Sequence, residues 1–193
     1  MNGLSSFEYL SALCETTDKD AILQDLIRHF GRDVWNYAYF LTGRMEVADD
    51  VFQDVFVKVY RNLYNYRGDS TVKTWLLAIT RNVVKDHWKS AWTRRVLLMG
   101  ALTRRHETVS STEKEVLSRM ESGDIWKAVL ELPDKLKEVM VLYAHHQLTV
   151  PEIADLLRLR EGTVKSRLHR ARGKIQFKLD QAEQALETRG RSR

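Results

Sequence analysis

The hydrophobic positions of this chain recur at helical spacing along most of its length. The sharpest case is EGTVKSRLHRARGK, Glu161 to Lys174. At about 100° per residue, Val164, Leu168, Ala171 and Ile175 fall on one stripe. Thr163, Ser166, His169 and Arg170 fall opposite, flanked by Lys165, Arg167 and Lys174. One face is built to pack, and the other is polar and basic. Just upstream, LTVPEIADLL predicts a shorter helix. Thr149 and Glu152 have capping-box spacing, and Pro151 sits in the first turn, where its missing N–H costs little. Two short helices, a tight turn and a basic second helix have the sequence form of a helix-turn-helix. A single charged helix face is ordinarily just solvated. The turn, the cap and the basic face together favour DNA binding.

Three longer helices are expected before this motif. The first runs from about Ala21 to Leu41, with Leu26, Phe30, Val34, Tyr37 and Leu41 in phase and Thr42-Gly43-Arg44 as a stop. The second, about Glu46 to Leu63, turns Val51, Phe52, Val55, Phe56, Val59 and Leu63 to one side. Asp50, Gln53, Asp54 and Arg61 lie on the other, with Val57 among them. A valine bordered by two carboxylates suits the centre of a docking site for a basic partner, although an isolated exposed valine is also ordinary. YNYRGDS follows as a turn, with Asp69 or Ser70 placed to cap the next helix. That third helix, about Thr71 to Lys89, buries Val72, Trp75, Leu76, Ile79 and Val83. Thr74, Arg81, Lys85 and Trp88 are expected on its other side, with Trp92 if the helix continues. Cations interleaved with aromatic rings suit single-stranded DNA, phosphate being held by the charges and unstacked bases by the rings. The competing expectation is that Trp88 and Trp92 are core residues.

The pattern lapses from about Thr93 to Thr112, which reads as a linker, and resumes near Glu113. Short helices are expected at about 124–131 and 135–144, the latter with Leu136, Val139, Met140 and Tyr143 inward. The expected architecture is all-α: two small helical domains at 21–92 and 123–180, a linker at 93–122, an N-terminal segment at 1–20 and a tail at 181–193.

Composition supports this picture. The chain has 193 residues, 44% hydrophobic, with only two prolines and nine glycines, which argues against a turn-rich β architecture. Charge divides unevenly. Residues 1–92 carry 11 basic against 12 acidic side chains, a net of −1, whereas 93–193 carry 20 against 14, a net of +6. The second half therefore favours nucleic acid. One cysteine, Cys14, excludes an intramolecular disulfide. The longest apolar run, Val96 to Leu102, is too short to span a bilayer, and no signal peptide is read at the N-terminus. A cytoplasmic protein is expected.

Catalytic chemistry finds no foothold. There is no glycine-rich phosphate loop, HExxH or GxSxG. Asp49, Asp50 and Asp54 have no further ligand group placed beside them, and His145 and His146, adjacent on a helix, are expected to point apart. No enzyme activity, metal, cofactor or small-molecule substrate is expected.

Two stretches together resemble the extracytoplasmic-function branch of bacterial RNA polymerase sigma factors. ADDVFQDVFVKVYRNL followed by TVKTWLLAITRNVVKDHWK is similar to region two of that family. LPDKLKEVMVLYAHHQLTVPEIADLLRLREGTVKSRLHRARGKI is similar to region four. The resemblance covers about 24–89 and 125–179, in the family's order. It implies a promoter-specificity subunit that binds core RNA polymerase. Asp50, Gln53, Asp54 and Val57 would grip the clamp helices of the largest subunit. Tyr64, Asn65, Tyr66 and Arg67 would belong to the loop that captures a flipped minus-ten base, and Arg81, Lys85 and Trp88 to the helix that holds the melted strand. Thr163, Lys165, Ser166, Arg167, His169, Arg170 and Lys174 would serve minus-thirty-five recognition. An anti-sigma factor, often a membrane-bound one, would be a further partner. Two departures stand out: Arg158 occupies a turn position where the family usually has glycine, and His146-Gln147 replaces a usual acidic-glycine pair. The alternative function is a stand-alone helix-turn-helix regulator dimerising on operator DNA. Such a regulator needs neither the acidic face at Asp50–Asp54 nor the aromatic-basic face beyond Arg81.

Overall fold

The computed structural model describes residues 18–98 and 123–190. These fall into two units, each with its own core. The first comprises α1 (Lys19–Thr42), α2 (Met45–Asn62), a 3-10 turn (Leu63–Asn65) and α3 (Val72–Leu98). The second comprises α4 (Gly123–Leu130), α5 (Asp134–Met140), a π-helical turn (Val141–His145), α6 (Val150–Leu157) and α7 (Glu161–Gly190). No strand occurs among the described residues.

In the first unit the three helices pack mutually. Asp18 caps α1 by accepting from the Asp20 amide, and Gly43 ends it in the left-handed region at φ 68°, donating its amide to the Tyr39 carbonyl at 2.7 Å. Ile22, Leu26, Val34, Tyr37 and Phe40 of α1 meet Ala48, Val51, Val55 and Val59 of α2 and Leu76, Leu77 and Val83 of α3, all buried. Deleting one such leucine side chain costs about 2–5 kcal/mol.

Three expectations about α3 are corrected. Its cap is Thr71, not Asp69 or Ser70: Thr71 Oγ1 accepts the Thr74 amide at 3.1 Å, and the Thr71 carbonyl accepts the Trp75 amide at 2.9 Å. Thr74 is consequently buried rather than outward, its hydroxyl 2.9 Å from that of Thr71. The helix also runs on to Leu98, past the expected linker boundary. The Trp92 side chain and most of 93–122 lie outside the described residues.

The second unit closes around Val139, Leu142, Ile153, Val164 and Ala171, all essentially inaccessible. Here too the sequence phase slips. The His146 amide bonds the Val141 carbonyl at 3.1 Å, an i→i+5 closure that inserts one extra residue into the turn. Leu142 is thereby carried into the core, while Tyr143, expected inward, is 39% exposed. Leu136 is only half-buried. His145 and His146 do not point apart; their rings meet edge-on at 4.8 Å, and Trp126 packs edge-on against His145 at 5.4 Å.

Candidate nucleic-acid interface

Three residues, Arg158 to Arg160, join α6 to α7. The capping box forms as its spacing predicts: the Glu152 amide donates to Thr149 Oγ1, and Glu152 Oε2 accepts the Thr149 amide at 2.8 Å. Arg158 ends α6 at φ 55°, ψ 52°, and the Leu159 amide returns to the Ala154 carbonyl at 2.9 Å. This turn sets the entry of α7, whose Val164, Leu168 and Ala171 are buried while Lys165, Ser166, His169, Arg170 and Lys174 are exposed. Thr163 and Arg167 are half-buried at the edges of that outer face. Ser166 donates its hydroxyl to the Thr163 carbonyl at 3.0 Å, and Lys165 pairs with Glu161 at 3.6 Å. The seven predicted side chains thus share one helix, five of them exposed and Thr163 and Arg167 half-buried.

The outer face of α2 is as exposed as its pattern predicts. Asp50, Gln53 and Asp54 are exposed, and Val57 is 48% accessible between them and the helix end. Asp49 is drawn aside by the indole N–H of Trp35, which donates to it at 2.7 Å. Asp54 meets a partner that sequence spacing did not suggest: His87 of α3 places Nε2 3.1 Å from its Oδ2. A second cross-link joins Lys58 to Asp86 at 3.0 Å. Both pairs are formed between helices distant in sequence, so no local pattern could have found them.

The loop between α2 and α3 treats its two tyrosines differently. Tyr64 stands 64% exposed, with the Lys19 ammonium 5.0 Å from its ring and 4.5 Å from that of Tyr60. Tyr66 packs on Trp75, centroids 5.1 Å apart, and donates its hydroxyl to the Ser70 carbonyl. Burial, and then the Asp69 carboxylate, raise the Tyr66 phenol above its ordinary pKa. Hydrogen bonding to Asp20 does the same for Tyr60. Asn65 donates to Asn62 Oδ1 at 3.4 Å, Arg67 is exposed, and Gly68 takes φ 76°, a left-handed value that glycine accepts without strain. Further along α3, Arg81 is half-buried, Lys85 is exposed and Trp88 is 51% exposed. Trp88 is therefore not a core residue.

Comparison with known proteins agrees with this arrangement. Residues 26–94 match Sigma-70 region 2, and residues 122–175 match Sigma-70, region 4. The ECF RNA polymerase sigma-E factor of Haemophilus influenzae is 32% identical over 139 residues, covering 67% of this chain and 73% of its own. The ECF RNA polymerase sigma factor SigW of Bacillus subtilis is 28% identical over 170 residues, covering 84% and 90%. This chain belongs to the extracytoplasmic-function sigma factors of the sigma-70 family. It directs RNA polymerase to promoters. The sigma factor shares its fold with RpoE of Bartonella quintana, solved in complex with the anti-sigma factor NepR, at a TM-score of 0.62 and 22% identity over 84% of this chain and 98% of that one. In this sigma factor the first unit contains the whole region-two match, and α4 to the middle of α7 form region four. Among the described residues no helix is long and apolar enough to cross a membrane.

Proposed function

We propose that the two units divide promoter recognition as follows. In the first unit the exposed face of α2 docks core polymerase: Asp50 and Asp54 supply charge to basic side chains on the clamp helices, Gln53 a hydrogen bond, and Val57 the apolar centre. The loop at Tyr64–Arg67 captures a base extruded from the minus-ten element, with Tyr64 as the accessible stacking ring and Asn65 as the base-edge contact. Tyr66, held on Trp75 and Ser70, supports the loop from behind. Arg81, Lys85 and Trp88 accompany the displaced strand along α3. In the second unit α7 enters the major groove of the minus-thirty-five element, where Ser166 and Arg170 read bases and Lys165, Arg167 and Lys174 hold phosphates. Thr163 and His169 border the reading surface.

The observation that carries this reading over a stand-alone operator-binding regulator is the exposure of Val57 at 48% and Trp88 at 51%, each beside charged residues. A protein whose whole task lies in its helix-turn-helix has no use for either. The sigma factor works in the cytoplasm as an initiation factor without catalytic chemistry of its own. An anti-sigma factor, in some cases membrane-bound, is a fitting regulator, since a structurally similar protein was solved with one. The docking role is tested by capture on core polymerase. Asp50→Ala with Asp54→Ala should keep the helical fold, because both side chains are exposed, yet weaken capture severely. Undiminished capture would return the acidic face to simple solvation.

A further inference from the structure

The first turn of α1 reaches the loop that follows α2. Lys19 opens α1, is half-buried, and lies outside the region-two match at 26–94. Its ammonium sits over two rings at once, 4.5 Å from the centroid of Tyr60 on α2 and 5.0 Å from that of Tyr64 in the 3-10 turn. Among the described residues no carboxylate pairs with it. The adjacent acids have other work: Asp18 accepts the Asp20 amide at 3.4 Å, and Asp20 takes the Tyr60 hydroxyl. The contacts form a chain. Asp20 fixes Tyr60, the Tyr60 ring holds the ammonium, and the ammonium holds the ring of Tyr64. Tyr60 is 37% exposed and Tyr64, at the end of the chain, 64%.

We propose that Lys19 is a positioning residue for base capture: its ammonium, anchored on Tyr60, fixes the Tyr64 ring so that one face is held by the cation and the other is offered to the extruded minus-ten base. The proposal rests on the reading of Tyr64 as the stacking ring and adds a residue from a different element. A ring attracts a cation through its electron-rich face, and its second face remains free to stack. A tyrosine on an exposed turn would otherwise pass among rotamers, and a base would have to order it on arrival. Ordering it beforehand removes that cost from the binding step. A phosphate contact fits Lys19 less well. Asp18 and Asp20 stand close enough to Tyr60 to raise its phenol, and the same two negative charges disfavour a phosphate there. Lys19 therefore acts on the base through Tyr64 rather than on the strand.

The test uses holoenzyme assembled from core polymerase and the full chain, titrated with a single-stranded oligonucleotide that carries the non-template minus-ten element. A companion set replaces each base of that element in turn by an abasic site. Lys19→Ala should lower affinity for the intact oligonucleotide about two- to fivefold. Lys19→Arg should restore it, since a guanidinium stacks on the same rings. At one abasic position the loss from Lys19→Ala should vanish, and Tyr64→Ala should fall silent at that same position, because neither side chain has a base left to serve. Added to Tyr64→Ala, Lys19→Ala should change nothing further. Full affinity of Lys19→Ala for the intact strand overturns the proposal, as does a loss that persists undiminished at every abasic position. A plot of log K against log salt shallower by about 0.7 for Lys19→Ala also overturns it, by making Lys19 a phosphate contact. In each case base capture survives if Tyr64→Ala still shows one base-dependent position. Silence of Tyr64→Ala across the whole set would bring down the reading of the loop, and the proposal with it.

Discussion

Two residues of the second unit hold backbone conformations that their side chains disfavour. Gln147 lies at φ 59° and Arg158 at φ 55°, and both are positions where the family resemblance led us to expect glycine. The left-handed region crowds Cβ against the following carbonyl by about 1–2 kcal/mol. Each residue stays there because its neighbours use the turn: the Leu148 amide reaches the Leu142 carbonyl at 3.0 Å after Gln147, and the Leu159 amide reaches Ala154 after Arg158. Arg158→Gly should accordingly stabilise the unit by about 1 kcal/mol, visible as a higher midpoint in thermal unfolding. A lower midpoint would mean that the arginine side chain contributes more than its backbone loses. Tyr66 offers a second check. Its phenol is raised in the folded loop, so the fold binds that proton more tightly than the unfolded chain does. The resulting stability is complete below about pH 10, the ordinary phenol value, and is lost as pH rises through the raised one. Ultraviolet titration should show phenols above that value, of which Tyr66→Phe removes one and leaves that of Tyr60; loss of a phenol at the ordinary value instead would place the Tyr66 hydroxyl in solvent.

At the scale of the element, the proposed function gives α7 two separable kinds of contact. Arg170→Ala should relax preference for the upstream element and cost roughly 1–3 kcal/mol of discrimination. Lys174→Ala should weaken binding evenly across sequences and flatten the salt slope. Equal losses from Arg170→Ala on cognate and scrambled elements, measured by competition, would reassign it to phosphate. How far such elements are legible in the sequence depends on whether the physics is local. The α7 stripe, the Thr149–Glu152 box and the exposed α2 face follow from period and capping chemistry, which neighbouring residues decide among themselves. The π-helical turn at Val141–His145 does not. A single inserted residue moves Leu142 in and Tyr143 out, and nothing in the surrounding periodicity announces it. Thr74 departs from its pattern for a related reason: its hydroxyl is satisfied by Thr71, so a polar residue can enter the core. The His87–Asp54 and Lys58–Asp86 pairs depend on how α2 and α3 pack, a tertiary fact that helical spacing does not contain. Loop chemistry is half legible. Both tyrosines are visible as rings near a turn, but only the packing of Tyr66 on Trp75 separates the supporting ring from the presented one.

At the scale of the whole molecule, the nearly neutral first half and basic second half correspond to two units, to which the proposed function gives different partners. In the proposed division, polymerase meets the face of α2 and duplex DNA meets α7, while the loop and α3 await a strand that exists only after melting. Asn65→Ala should therefore leave closed complexes nearly intact and reduce opening on duplex DNA, with a template already unpaired at the minus-ten element restoring much of the loss. Permanganate reactivity of unpaired thymines on both templates checks this, and equal loss on both would remove base capture from the loop. The division of labour as a whole is tested most directly by transcription in vitro on fragmented genomic DNA, with purified core polymerase and mapping of transcript 5′ ends. Adding the sigma factor should create a set of start sites sharing one pair of upstream and downstream elements. That set should vanish with Asp50→Ala plus Asp54→Ala and lose its upstream element with Arg170→Ala. No new start sites over core polymerase alone, accompanied by dimeric binding to palindromic fragments, would contradict the account and make the chain an operator-binding regulator.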